Sequence, residues 1–173
     1  KDYKNRKYTI STYDPEWVSD FELYARKIQP FFPLAKIEHI GSTSVPGLSG
    51  KPTIDVLVMV EDINELEVKV IGMEREGFIY MGEYVKPQSR LFRVMREDEL
   101  LANVHFFQGD HPHVAEMLGL RDYLRASQDE VEAYSLLKED LVQKYPQDYA
   151  SYRKYKDEYV AELMKRVKGV YSI

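Results

Sequence analysis

Apolar positions follow a helical rhythm at both ends of this chain and a strand rhythm between them. Asp14-Pro15-Glu16-Trp17 predicts a helix start: Asp14 can cap, Pro15 fits the first turn, and Glu16 suits the positive end of the dipole. Val18, Phe21 and Tyr24-Ala25 then recur at three- and four-residue spacing as far as Pro30. Ile37 to Ile40 predicts a short strand. The run from Gly41 to Pro52 holds three glycines and two prolines and cannot carry a long helix. Thr53 to Val60 is β-branched and nearly all apolar, which predicts a central strand.

Asp62 with Glu65 predicts the start of a second helix, ended by Gly77. Phe78–Tyr84 and Leu91–Arg96 read as paired strands, and Leu101–Phe107 as a third, with Gly109-Asp110 as its exit turn. From His111 onward the rhythm is helical. Ser127-Gln128-Asp129-Glu130 predicts a capped helix with Val131, Tyr134, Leu137, Leu141 and Tyr145 on one stripe, broken at Pro146. A last helix carries Tyr152, Tyr155, Tyr159 and Leu163. The plan is α-β-β-α-β-β-β followed by three helices. Clustered strands trailed by helices predict an α+β class. A single domain over 1–173 is expected, with a sheet core over about 13–110 and a helical part over about 111–168.

Asp55 breaks the pattern of its strand. Ile54, Val56, Val58 and Val60 share one face, and Thr53, Asp55, Leu57 and Met59 the other. A carboxylate among apolar neighbours costs several kcal/mol unless it is paired, hydrogen-bonded or metal-bound. Its alternatives are a structural Asp held by loop amides or an arginine, and a functional one. Gly41-Ser42 lies just past the preceding strand, where glycine lets a ligand approach the backbone and hydroxyl and N–H groups can cradle phosphate oxygens. No GxxxxGK[ST] P-loop is present. Arg121 sits in the centre of the apolar stripe Val114, Met117, Leu118 and Leu124, so its guanidinium needs an acidic or phosphate partner. His105 shares a strand face with Asn103 and Phe107 and suits acid–base work, a phosphate contact or a structural role. Lys51 and Arg90 are candidate phosphate contacts. His39, Glu83, Tyr152 and Lys156 form a second rank, and His111 and His113 are assigned no role.

The run Ile37-Glu38-His39-Ile40-Gly41-Ser42-Thr43-Ser44-Val45-Pro46-Gly47-Leu48, continuing through Gly50-Lys51-Pro52-Thr53-Ile54-Asp55, closely resembles the signature of the GrpB family. Gly82-Glu83, Arg90-Leu91-Phe92-Arg93, Asn103-Val104-His105-Phe106-Phe107, Leu120–Arg125 and Tyr134–Lys138 resemble its later segments. That family is similar in fold to nucleotidyltransferases of the DNA polymerase β superfamily. The resemblance implies a mixed sheet flanked by helices, with Gly41 and Ser42 on phosphates and Asp55 on a Mg²⁺ ion. It further implies a charged pocket completed by Lys51, Arg90, His105 and Arg121. In active superfamily members paired carboxylates hold Mg²⁺ for in-line nucleotidyl transfer. Here the second place of an Asp-x-Asp pair is Leu57, and His105 stands on the strand where a third carboxylate would be sought. Glu38 and Glu83 are the remaining carboxylates available to substitute. Two functions follow as expectations: a Mg²⁺-dependent nucleotidyltransferase, catalytic through Asp55 and His105, or a nucleotide- or phosphometabolite-binding module that has lost metal chemistry.

Composition narrows this further. The 173 residues carry 24 Lys+Arg against 29 Asp+Glu, a formal charge of −5, which argues against a long nucleic-acid partner. A local basic pocket for one phosphorylated small molecule remains compatible with that balance. No cysteine is present, which removes thiolate chemistry and disulfides. No apolar run reaches the roughly 18 residues of a membrane span, and the polar N-terminal run Lys1–Lys7 leads into no signal-peptide core. A cytoplasmic location is the expectation.

Overall fold

The structure, a computed structural model, describes residues 7–173, so the polar run read at the N-terminus lies almost entirely outside the described residues. Helix α1 spans Glu16–Ile28; Pro15 holds the N-cap position, and Asp14, expected there, stands one residue earlier, with its Oδ1 accepting the Glu16 N–H at 2.9 Å. Strands β1 (Lys36–Ile40), β2 (Ile54–Val60), β3 (Ile79–Gly82), β4 (Arg90–Arg96) and β5 (Glu99–Gln108) form one sheet in the order β1-β2-β5-β4-β3. Only β2 and β5 run parallel. Helices α3 (Pro112–Arg125), α4 (Gln128–Lys144) and α5 (Tyr149–Tyr171) complete the mixed α+β architecture. The Ser127 hydroxyl caps α4 by accepting the Glu130 N–H.

The helix expected after Asp62 differs. Residues Ile63–Lys69 form a 3-10 turn run, and only Val70–Arg75 (α2) is α-helical. Ile63 and Leu66 are buried at a spacing of three, which a three-residue turn aligns, whereas Val68 and Ile71 stay exposed.

The two sheet faces receive different covers. On one, Ile54, Val56, Val58, Val104, Phe92 and Phe106 pack against Trp17 and Ile28 of α1 and Met73 of α2. On the other, α3 covers only one end: Ile40, Leu57 and Phe107 are sealed beneath Val114, with Met117 and Leu118 alongside. The helices hold the Gly-rich loop through a separate cluster in which Val45 and Leu48 meet Leu124, Val131, Tyr134, Leu163 and Val167. The other end of that second face stays open. It carries Asp55.

Candidate functional site

Cross-strand pairing puts Ile40, Asp55, Asn103 and Arg93 in one row, because each is the register partner of the next. Partners in register share a face. Asp55, Asn103 and Arg93 of this row floor a cleft of about 2140 Å³ between the sheet and the helices, lined also by Gly41, Ser42, Lys51, His105, Arg121, Tyr134 and Lys156, while Ile40 is covered by α3. Asp55 Oδ1 lies 3.1 Å from Nε2 of His105, with Asp55 the more exposed of the two side chains.

Gly41 is demanded by this arrangement. Its φ of 74° and ψ of −174° fall in a region almost exclusive to glycine, and a Cβ there would stand 2.5 Å from Asp55 Oδ2. The chain therefore passes against the carboxylate and turns into Ser42–Ser44. Behind Ser42 sits Lys138 of α4, 2% exposed, with Nζ donating to Ser42 Oγ at 2.5 Å and to the Ser49 carbonyl at 3.0 Å. Among the described residues it pairs with no carboxylate, and its ammonium lies 4.1 Å from the centre of the Tyr134 ring. Burial, reinforced by Lys156 and Lys51, pushes its pKa well below the usual lysine range, and Asp55 opposes the shift. With Nζ donating to Ser42 Oγ, the Ser42 O–H itself is available to donate to another acceptor. Gly50 permits the packing: a Cβ there would meet Ser42 Cβ at 2.7 Å.

The residues expected around one pocket divide into two groups. Gly41, Ser42, Lys51, Asp55, His105, Arg121 and Lys156 all line the cleft. Arg121, however, is already held by acids, with Nη1 2.7 Å from Glu38 and Nε 2.9 Å from Asp122. Lys51 donates to the Tyr149 hydroxyl at 2.5 Å. Lys156 stands 3.4 Å from Asp157, and its pKa is lowered chiefly by burial.

Four expectations are corrected. Arg90 pairs in register with Phe106 and so faces the opposite side of the sheet, where Glu67 holds it at 3.2 Å. Glu83 follows β3 at the far edge and lies 3.7 Å from Arg90, away from Asp55. His39 pairs with Val56 and likewise faces away; it stacks on Phe21 and bonds Thr43 Oγ1 at 2.8 Å. Burial and the nearby Arg125 lower its pKa to about 4. Tyr152 is 1% exposed and packs on Tyr8 and Tyr149 rather than lining the cleft.

Lys138 and Arg93 escaped the sequence reading, which placed Asn103 only as a face-mate of His105. Lys138 carried a signal: it lies four residues after Tyr134 and three before Leu141, on the buried stripe, the same pattern that singled out Arg121. Arg93 carried none, because only strand pairing places it in the Asp55 row.

A two-metal clamp does not fit these residues. Leu57 is fully buried under α3, so the second carboxylate's place is core rather than cleft. No group of three His, Cys, Asp or Glu side chains suited to a metal occurs among the described residues. Asp55 leaves one carboxylate facing the cleft, and Mg²⁺, which keeps several of its waters, can rest on as few as one or two carboxylates.

The GrpB protein family matches residues 7–166. This chain belongs to the GrpB family. A UPF0157 protein of Halalkalibacterium halodurans is 33% identical over 164 residues, covering 94% of this chain and 83% of that protein. The crystal structure of the conserved protein GrpB from Enterococcus faecalis superposes with a TM-score of 0.89 at 33% identity, covering 95% of this chain and all of that one. At 13% identity the Cid1 poly(U) polymerase, with Mg and 3'-dATP bound, gives a TM-score of 0.56, covering 78% of this chain and 43% of that enzyme. This GrpB chain thus shares the nucleotidyltransferase fold and spans less than half of that polymerase. No helix among the described residues is long and apolar enough to cross a membrane.

Proposed function

We propose that this GrpB chain binds a nucleotide or a similar phosphorylated small molecule in the cleft, with its phosphates on the Gly41–Ser42 turn and its reacting centre at Asp55 and His105. The observation that carries this is the buried Lys138 amine behind Ser42, which donates to the Ser42 hydroxyl and pairs with no carboxylate among the described residues. An anion at Ser42 supplies the missing negative charge, while Lys51 and Lys156 on the cleft wall extend the positive field.

Where transfer occurs, an acceptor hydroxyl attacks the phosphorus held over Asp55. The new P–O bond forms as the bond to pyrophosphate breaks, and the hydroxyl proton passes to the Asp55 carboxylate, which His105 holds in place. Pyrophosphate leaves on the Ser42 side, where the lysines stabilise its charge. A Mg²⁺ arriving with the nucleotide would rest on Asp55 and neutralise phosphate charge. The second reading, a binding module without transfer, is favoured by the burial of Leu57.

Thermal shifts against ATP, GTP, CTP and UTP, with and without Mg²⁺, test the proposal. Stabilisation that Ser42→Ala removes supports the phosphate cradle. Mg²⁺-dependent stabilisation lost in Asp55→Asn, together with pyrophosphate release, supports transfer, whereas nucleotide stabilisation without pyrophosphate release supports the binding module. No response to any of the four nucleotides refutes both readings.

A further inference from the structure

In-line displacement puts the attacking oxygen opposite the leaving group. With the leaving phosphates on the β1 side of Asp55, the attacking molecule has to lie on the other side, over β5 and β4. Asn103 and Arg93 make that part of the floor. Two strand spacings of about 4.8 Å put the Arg93 backbone about 10 Å from that of Asp55, one small-molecule length.

Arg93 is a half-buried cation with no acid partner among the described residues. Its guanidinium lies over the Tyr84 ring at 4.7 Å, while its Nε–H is buried and unbonded. Oδ1 of Asn103, its register partner, is also buried and unbonded. Glu97, Asp98 and Glu99 line the same cleft, yet among the described residues Glu99 pairs with Arg96 and no acid pairs with Arg93. The other half-buried arginines of the sheet and α3 are treated differently: Arg90 and Arg121 each have two carboxylates. A guanidinium braced flat on an aromatic ring is suited to an oxyanion that arrives from outside, and the unbonded Asn103 Oδ1 beside it can accept from a hydroxyl on the same molecule.

We propose that Arg93, with Asn103 and Tyr84, is the subsite of the second substrate, and that this substrate is a small hydroxy acid. Its carboxylate or phosphate rests on Arg93 and its hydroxyl reaches back toward Asp55. The inference rests on the nucleotide reading above for its direction of attack, but its anion contact is testable alone.

The test titrates the whole chain without nucleotide, using glycerate and glycerol 3-phosphate, with glycerol as the neutral control. Wild type, Arg93→Gln, Arg93→Lys and Ser42→Ala are compared by calorimetry, and ATP is titrated separately. At least one acid binds and glycerol does not; which acid binds distinguishes carboxylate from phosphate. Arg93→Gln weakens the acid about tenfold or more, the scale of a lost charged hydrogen bond, and Arg93→Lys recovers part of it. Ser42→Ala leaves acid binding intact while weakening ATP. In wild type, the Arg93 Nε–H resonance shifts on acid binding, which reads the same contact should Arg93→Gln fail to fold. Acids that bind no better than glycerol overturn the proposal, as does acid binding lost in Ser42→Ala and kept in Arg93→Gln. Arg93-dependent acid binding with no response to ATP overturns the nucleotide reading instead and leaves the anion subsite standing.

Discussion

Replacing Lys138 by Met separates what the buried ammonium does for folding from what it does for a ligand. The side chains are similar in length and Met adapts to irregular space, so the α4 packing around Tyr134 and Leu141 is kept. The substitution removes two hydrogen bonds, to Ser42 Oγ and the Ser49 carbonyl. Each is worth about 1.5–3 kcal/mol when the donor is charged. It also removes the desolvation cost of the ammonium, which is several kcal/mol for a buried ion. These nearly cancel, so the urea midpoint is expected to change by no more than the equivalent of about 2 kcal/mol. Ligand affinity depends instead on the attraction between the charged form of the amine and the anion. Nζ lies 2.5 Å from Ser42 Oγ, and a phosphate oxygen on that hydroxyl adds about 2.7 Å, so charge and anion stand about 5 Å apart. At an effective dielectric near 20 that interaction is about 3 kcal/mol, or roughly a hundredfold in affinity. Calorimetric titration with pyrophosphate measures it, with circular dichroism verifying the fold. A folded Lys138→Met protein that binds pyrophosphate as tightly as wild type refutes the role assigned to Lys138.

Gly41→Ala combines a glycine-only backbone with a Cβ 2.5 Å from Asp55 Oδ2, and is expected to lose about 1–3 kcal/mol or more in urea unfolding along with nucleotide response. Leu57→Asp buries an unpaired carboxylate under α3; it should cost about 3–5 kcal/mol, and Mg²⁺ should not restore the melting temperature because the position does not reach the cleft. His39 has a folded pKa lowered from 6.5 to about 4, so the unfolded chain takes up its proton first as pH falls. Its stabilising contribution is therefore present above pH 6.5 and is lost down to about pH 4, at most about 3 kcal/mol. Stability profiles of wild type and His39→Gln should diverge across that window and run parallel above it. The depressed Lys138 pKa has the corresponding consequence for binding: an anion at Ser42 favours the charged amine, so pyrophosphate binding should take up protons, read as a buffer-dependent binding enthalpy.

Local order was legible in the residues themselves. Hydrophobic spacing, β-branched runs and capping signals located all five strands and α1, α3, α4 and α5, because these depend on neighbours within a few positions. The Gly41-Ser42 turn and the exceptional Asp55 were legible for the same reason, and their combination pointed to the family. The 3-10 run after Asp62 was not, since the packing of Ile63 and Leu66 decides it. Strand pairing decided the rest. Whether Arg90 or Arg93 shares a face with Asp55 depends on a one-residue register against β5, which no spacing within β4 encodes. His39 left the site by the same parity, and Leu57 proved to be core because α3 closes over one end of the face and not the other. The sequence alone determined which residues are chemically unusual; the tertiary structure decided which of them meet, because side-chain direction on a sheet alternates every residue and only pairing sets the phase.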